Sequence, residues 1–273
     1  MQALRSILLH IDSSERSVLR TVVARQLSET LDAEVIAQPS MLTSLVRYPY
    51  AVEGAAAAVE LLMSLDKEAL DRAHASFVEA AAGSPRLHWA EPLADGPWGF
   101  ARRALYADLL ILGQRQEDDP ADSEVPADFV PNVLAQSGRP ALILPYAGRV
   151  DTVGRTVLVA WKETREAARA VSCALPLLSR AAQVHVVAHG EGVDEALRSL
   201  ERYLGAHGVR ATLHAGGAEE PDMGNALLSR AADLSADLLV MGAYGHSRAR
   251  EWILGGATRT ILQTMTLPVL MAH

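Results

Sequence analysis

The chain has 273 residues, 49% of them hydrophobic and 21% charged, with a formal net charge of -8. This composition fits a folded soluble protein rather than a disordered one, and the length suits one large domain or two of ordinary size. The acidic balance argues against a general nucleic-acid or anionic-membrane surface. The single cysteine, Cys173, allows no intrachain disulfide and fits a reducing compartment.

The first strand is predicted over Ser6–Asp12 (Ser-Ile-Leu-Leu-His-Ile-Asp). The segment before it lacks the basic and long apolar stretches of a signal peptide, and no run reaches the roughly 18 apolar residues of a membrane span. A cytoplasmic location with no membrane partner is therefore expected. A helix follows over Val18–Leu31, then a strand over Glu34–Ala37. The next stretch, Ala55–Ala82, carries Leu61, Leu62, Leu65, Ala69 and Ala73 at helical spacing. It predicts a long helix, broken or bent near Gly54, that packs on protein rather than on a ligand. A strand over Arg86–Glu91, a helix over Phe100–Tyr106 and a strand over Ala107–Gly113 come next. After an acidic loop, Glu117–Glu124, the strand Pro140–Leu144 closes this series.

The same order then starts again. Thr156–Lys162 matches Ser6–Asp12, Arg165–Leu178 matches the first helix, and Val184–Val187 matches the second strand. A strand over Arg210–His214 and a helix over Asn225–Leu234 follow. Ala236-Asp-Leu-Leu-Val-Met-Gly242 is nearly a copy of Ala107-Asp-Leu-Leu-Ile-Leu-Gly113, and Pro268–Ala272 answers Pro140–Leu144. Alternating short strands and helices imply βαβ units with a parallel sheet covered on both faces. The expected fold is thus two tandem five-stranded parallel α/β domains, residues 1–147 and 153–273, of Rossmann-like type.

Ligands of such sheets bind outside the carboxyl ends of the strands. After Met241 the chain reads Gly242-Ala-Tyr-Gly245, then nine residues to Gly255-Gly256-Ala257-Thr258, a G-x2-G-x9-G spacing between strand and helix. Glycines allow the tight turn, and the free N–H groups of the helix start suit a phosphate. The Thr258 hydroxyl adds a donor, and Arg248 or Arg250 could approach. Walker, Rossmann-glycine and nucleophile-elbow motifs are missing. His185 and His189 lie about 13 Å apart along one strand, too far for one metal; His10, His185 and His214 read as strand residues.

These residues resemble the universal stress protein family in its tandem, two-domain form. The resemblance covers nearly the whole chain. It implies a five-stranded parallel sheet, pairing through last strands (here between the two halves, with a homodimer of chains in addition), and ATP binding in many members. Its associations are stress survival and signalling rather than one reaction. Carried over, Gly242, Gly245, Gly255, Gly256, Ala257 and Thr258 would hold phosphates, with Mg²⁺ only alongside the nucleotide, and Ala160, Val187 and Met241 would flank the nucleoside. Gly256 stands where the family often has Ser or Thr.

The family's acidic residue at the end of strand one is Asp12 in the first half but Lys162 in the second, and Lys cannot accept a hydrogen bond. Lys162 either attracts the triphosphate or, with Trp161, blocks the adenosine pocket. The first half lacks the glycines, and its acidic loop is expected to repel phosphate. Three readings are open: a non-enzymatic nucleotide-responsive stress protein with one site in the second half; a ligand-independent interaction module; and a slow nucleotide hydrolase, for which no general base is apparent.

Overall fold

The computed structural model describes residues 4–50, 56–190, 192–217, 222–244 and 256–273. The described chain divides into two compact units, Leu4–Ser137 and Gly138 onward. In each, the central strands read as near-continuous apolar runs because helices cover both faces, whereas the edge strands Leu87–Trp89 and Thr212–Ala215 carry polar, exposed positions.

In the first unit the elements are β1 (Ser6–Ile11), α1 (Arg16–Leu31), β2 (Glu34–Pro39), α2 (Ser44–Arg47), α3 (Ala56–Ala81), β3 (Leu87–Trp89), α4 (Pro97–Ala104), β4 (Leu109–Gly113), a 3₁₀ turn (Pro120–Glu124) and α5 (Phe129–Ser137). The strands run in the order β3-β2-β1-β4 and are parallel. The long helix of the insertion is observed from Ala56; the bend expected at Gly54 lies outside the described residues.

In the second unit β5 (Ala141–Leu144) is followed by β6 (Thr156–Trp161), α6 (Arg165–Leu178), β7 (Gln183–Ala188), α7 (Val193–Ala206), β8 (Thr212–Ala215), α8 (Met223–Asp233), β9 (Leu238–Gly242), α9 (Gly256–Thr264) and β10 (Val269–Ala272). Their order is β5-β10-β9-β6-β7-β8. All pairs are parallel except the one between β10 and β5, where Leu270 faces Leu142. The last strand of the first sequence repeat is thus counted with the second unit.

The near-identical Ala-Asp-Leu-Leu segments have a structural reason. The Asp237 carboxylate accepts hydrogen bonds from Gly154 N (3.1 Å), Arg155 N (3.1 Å), Thr156 N (2.9 Å) and the Thr152 hydroxyl (2.5 Å). Asp108 likewise accepts from Arg5 N (2.9 Å) and Ser6 N (3.0 Å). Asp237 thus clasps the start of β6 to that of β9, and Asp108 the start of β1 to that of β4. Charge-assisted bonds of this kind are worth about 1.5–3 kcal/mol each at best, less where partly exposed. Replacing Asp237 by Ala is expected to lower unfolding free energy by about 2 kcal/mol, and Asp108→Ala by less, as read by urea denaturation.

Candidate functional site

The clasp aligns β6 with β9, so Ala160 lies beside Met241 and, on its other side, beside Val187. The three form one row on one face of the sheet at its carboxyl end, and Met241 and Val187 are buried there. Gly242 ends β9 and sits directly on the first turn of α6. A Cβ at this position would lie 2.5 Å from Ala167 N and 2.7 Å from the Glu166 carbonyl carbon. Thr164 caps α6 by accepting from Ala167 N at 3.2 Å. Glu166 is buried in this first turn; burial opposes its charge, but the Arg165 hydrogen bond and its own backbone N–H hold its carboxyl below the usual range.

On the other side of the loop, Thr258 is buried in the first turn of α9, and Tyr244 N approaches its hydroxyl at 3.5 Å. Gly224 lets α8 come against that turn, since a Cβ there would meet Thr260 and the Ala257 carbonyl. Gly256 begins α9 exposed, with open space around it, and Ala257 is half-buried. Lys162 is exposed just beyond β6. Gly245 and Gly255, with Arg248 and Arg250 between them, lie outside the described residues. The structure therefore brings together Ala160, Val187, Met241, Gly242 and, through Tyr244, Thr258.

Tyr244 adopts a left-handed backbone, φ +60°, uncommon for a residue with a side chain. Its phenol rests near the His273 ring, and burial pushes its pKa up to about 12. Among the described residues, three buried polar atoms at this end of the sheet have no hydrogen-bond partner: Tyr244 Oη after β9, Trp161 Nε1 on β6 and His189 Nδ1 after β7. Each such group costs about 1–3 kcal/mol while unsatisfied. Tyr244 Oη and Trp161 Nε1 carry protons to donate, and His189 Nδ1 donates or accepts according to its tautomer.

A further cluster was not legible in the sequence. His185 Nδ1 lies 3.1 Å from His214 Nε2, and Arg230 of α8 lies 2.9 Å from His214 Nδ1. Arginine can only donate, so His214 Nδ1 accepts and its Nε2–H donates to His185. Both imidazoles are then neutral, and burial, Arg230 and His185 lower the pKa of His214. No group of three or more metal-ligating side chains occurs among the described residues.

The corresponding end of the first unit is filled by the chain itself. Arg20 reaches from α1 to donate to the Asp12 carboxylate (2.7 Å), the Ser17 hydroxyl (2.6 Å) and the His10 carbonyl (3.2 Å). Asp12 also accepts from Ser14 N and from the Ser14 and Ser17 hydroxyls. The guanidinium lies against Gly113, where a Cβ would collide with it. Burial works against Asp12's charge, but Arg20 and His10 hold its carboxyl well below the usual range. The acidic loop is tied in as well: Glu124 accepts from Ser13 N (3.2 Å) and Oγ (2.8 Å), and its carbonyl from Leu42 N (2.6 Å). Burial raises the Glu124 pKa. Charge repulsion by this loop was the expected obstacle to phosphate; a buried arginine occupying the crevice is a second, steric one.

A mostly parallel α/β sheet with helices on both faces defines a Rossmann-like fold class. Residues 154–273 match the model of the universal stress protein family. The chain is 28% identical over 172 residues to the universal stress protein Slr1230 of Synechocystis, a match that takes in 60% of this chain and 57% of that one. The matched region thus spans little more than half the length of that curated relative. The fold is that of a universal stress protein from Archaeoglobus fulgidus (TM-score 0.73, 18% identity, 100% of this chain and 99% of that one). A functionally unknown Pseudomonas aeruginosa protein is also similar (TM-score 0.61, 17% identity, 99% and 93%). No helix among the described residues is long and apolar enough to cross a membrane.

Removing one partner of a buried ion pair strands the other. Arg20→Leu should therefore cost about 3–5 kcal/mol of stability, and the double change Asp12→Asn with Arg20→Leu should recover much of it in denaturant titrations. Burial lowers the His10 pKa to about 4 despite nearby Asp12. A depressed histidine disfavours the protonated fold, so its contribution is complete above the unfolded pKa of roughly 6.5 and lost as pH falls from there toward 4. His214 acts in the same direction. The melting temperature should drop across this window, and His10→Gln should flatten the drop.

Proposed function

We propose that this chain is a non-enzymatic stress-response protein that responds to a nucleotide of the ATP class at one site, in its second half. The observation that carries the reading is the frame around the glycine loop: Gly242 seated on the first turn of α6 and Thr258 buried in the first turn of α9. Both helix starts direct N–H groups to the same end of the sheet, where an anion is favoured. In this reading Gly242, Gly245, Gly255, Gly256, Ala257 and Thr258 hold the phosphates, and Ala160, Val187 and Met241 flank the nucleoside. Lys162, exposed past β6, meets phosphate rather than closing the pocket. Mg²⁺ accompanies the nucleotide and has no seat of its own. The first half takes no nucleotide, its crevice being occupied by Arg20.

A ligand that binds only the native state raises its melting temperature. Differential scanning fluorimetry with millimolar Mg·ATP should show that rise, and Gly242→Val should remove it; an unchanged wild-type melt would reject the reading. Gly256 has room for a Cβ, so Gly256→Ser is expected to fold normally and bind ATP several-fold more tightly by calorimetry. Lys162→Asp should weaken binding, whereas a gain would mean that the lysine blocks the pocket. The second reading, an interaction module indifferent to nucleotide, is favoured by one observation, the uncovered apolar surface of α2 and α3 in the first unit.

A further inference from the structure

Helix α8 is held to the second unit at two points. At its start Gly224 lies on the first turn of α9, where a Cβ would come within 2.6 Å of the Thr260 Cβ and 3.1 Å of the Ala257 carbonyl oxygen. Near its end Arg230 donates to His214 of β8, which donates in turn to His185 of β7. The buried residues of the helix are Gly224, Leu227 and Ala231. With a single large apolar side chain as anchor, α8 depends on the arginine–histidine link more than a helix with a wide buried stripe would.

The register of the sheet carries His214 to the site. Met241 lies beside Ala160, Ala160 beside Val187, and Val187 beside His214. His214 is thus the outer end of the row that flanks the nucleoside in the proposed site. Through Gly224, α8 also backs the turn of α9 that carries Ala257 and Thr258.

The hydrogen-bond chain has no spare acceptor. Arginine only donates, so His214 Nδ1 accepts, His214 Nε2–H donates and His185 Nδ1 accepts. The remaining nitrogen, His185 Nε2, bears a hydrogen and faces Gln183 Oε1 at 3.4 Å. A proton added to His214 sets an N–H against that of Arg230, two cations 2.9 Å apart. One added to His185 sets an N–H against that of His214. Either breaks a link. The charges acting on His214 are of one sign, since Arg230 on α8 and His185 on β7 both oppose its proton. His189, just past β7, is a third titratable neighbour, its ring lying over Gly216 two residues beyond His214. The carboxylates at the two ends of α8, Asp222 and Asp233, are exposed.

We propose that His214, clamped between Arg230 and His185, is a positioning residue that makes nucleotide binding sensitive to pH. Neutral, it locks α8 and with it the first turn of α9; protonated, it releases both. The inference rests on the reading of the second half as a nucleotide site. The neutral form is the one that binds, and apparent affinity scales with its fraction. Affinity is therefore full above the ordinary histidine pKa of roughly 6.5 and falls as pH drops below it.

Calorimetry with Mg·ATP at about pH 7.5 and about pH 5.5 tests this on the wild type and on His214→Gln, which keeps a donor and an acceptor but cannot gain a proton. The wild type should bind on the order of fivefold more weakly at the lower pH, relative to the variant; the comparison cancels the titration of the nucleotide itself. Hydrogen exchange should show the α8 amides opening at the lower pH in the wild type and less in the variant, with circular dichroism confirming that both are folded. Arg230→Met, which removes the clamp, should weaken binding already at the higher pH. Binding with the same pH profile in wild type and His214→Gln, or α8 exchange that is equal in the two, overturns the proposal alone. Failure of both proteins to bind Mg·ATP at the higher pH rejects the nucleotide reading, and the proposal with it.

Discussion

One carboxylate per unit fixes the arrangement on which the rest of the structure depends. Asp237 gathers three backbone N–H groups ahead of β6, and Asp108 does the same with two ahead of β1. In a parallel sheet a one-residue slip turns every side chain to the opposite face. By holding the strand starts level, the clasp decides which residues stand at the carboxyl ends. It sets Ala160 beside Met241, and so puts Gly242 under the first turn of α6.

The two units then diverge at a single step of the first helix. Nine residues past the strand end, the first half has Arg20 and the second has Ala170, both buried. With the arginine, Asp12 is neutralised and the crevice becomes a closed polar core, each charge answered inside the unit. With the alanine, α6 settles onto Gly242, and the polar atoms around it, Trp161 Nε1 and Tyr244 Oη among them, lack partners. A satisfied buried network stabilises its own half, while unsatisfied donors leave free energy to be recovered by whatever supplies acceptors.

Strand and helix order were legible because apolar runs and helical periods are local signals, and the repeat doubled each of them. The glycine loop was legible because its spacing is contiguous in the chain. Arg20 was not: an arginine in a first helix reads as a solvated side chain, and only the fold shows Asp12 and Gly113 converging on it. His185 and His214 were both assigned to strands, but their contact depends on the register of β7 against β8 and on Arg230 arriving from α8. The compact units divide at a different point from the sequence repeats. The repeats place the boundary near residue 147, whereas β5 groups with the later strands through its pairing with β10.

That pairing of β5 with β10 joins the final strands of two sequence repeats within one polypeptide. Between separate chains, the same antiparallel contact would form or dissolve with protein concentration. Tethered, it experiences an effective concentration in the millimolar range for a short linker. Its formation is therefore insensitive to expression level, and the two repeats remain matched one to one however scarce the protein becomes.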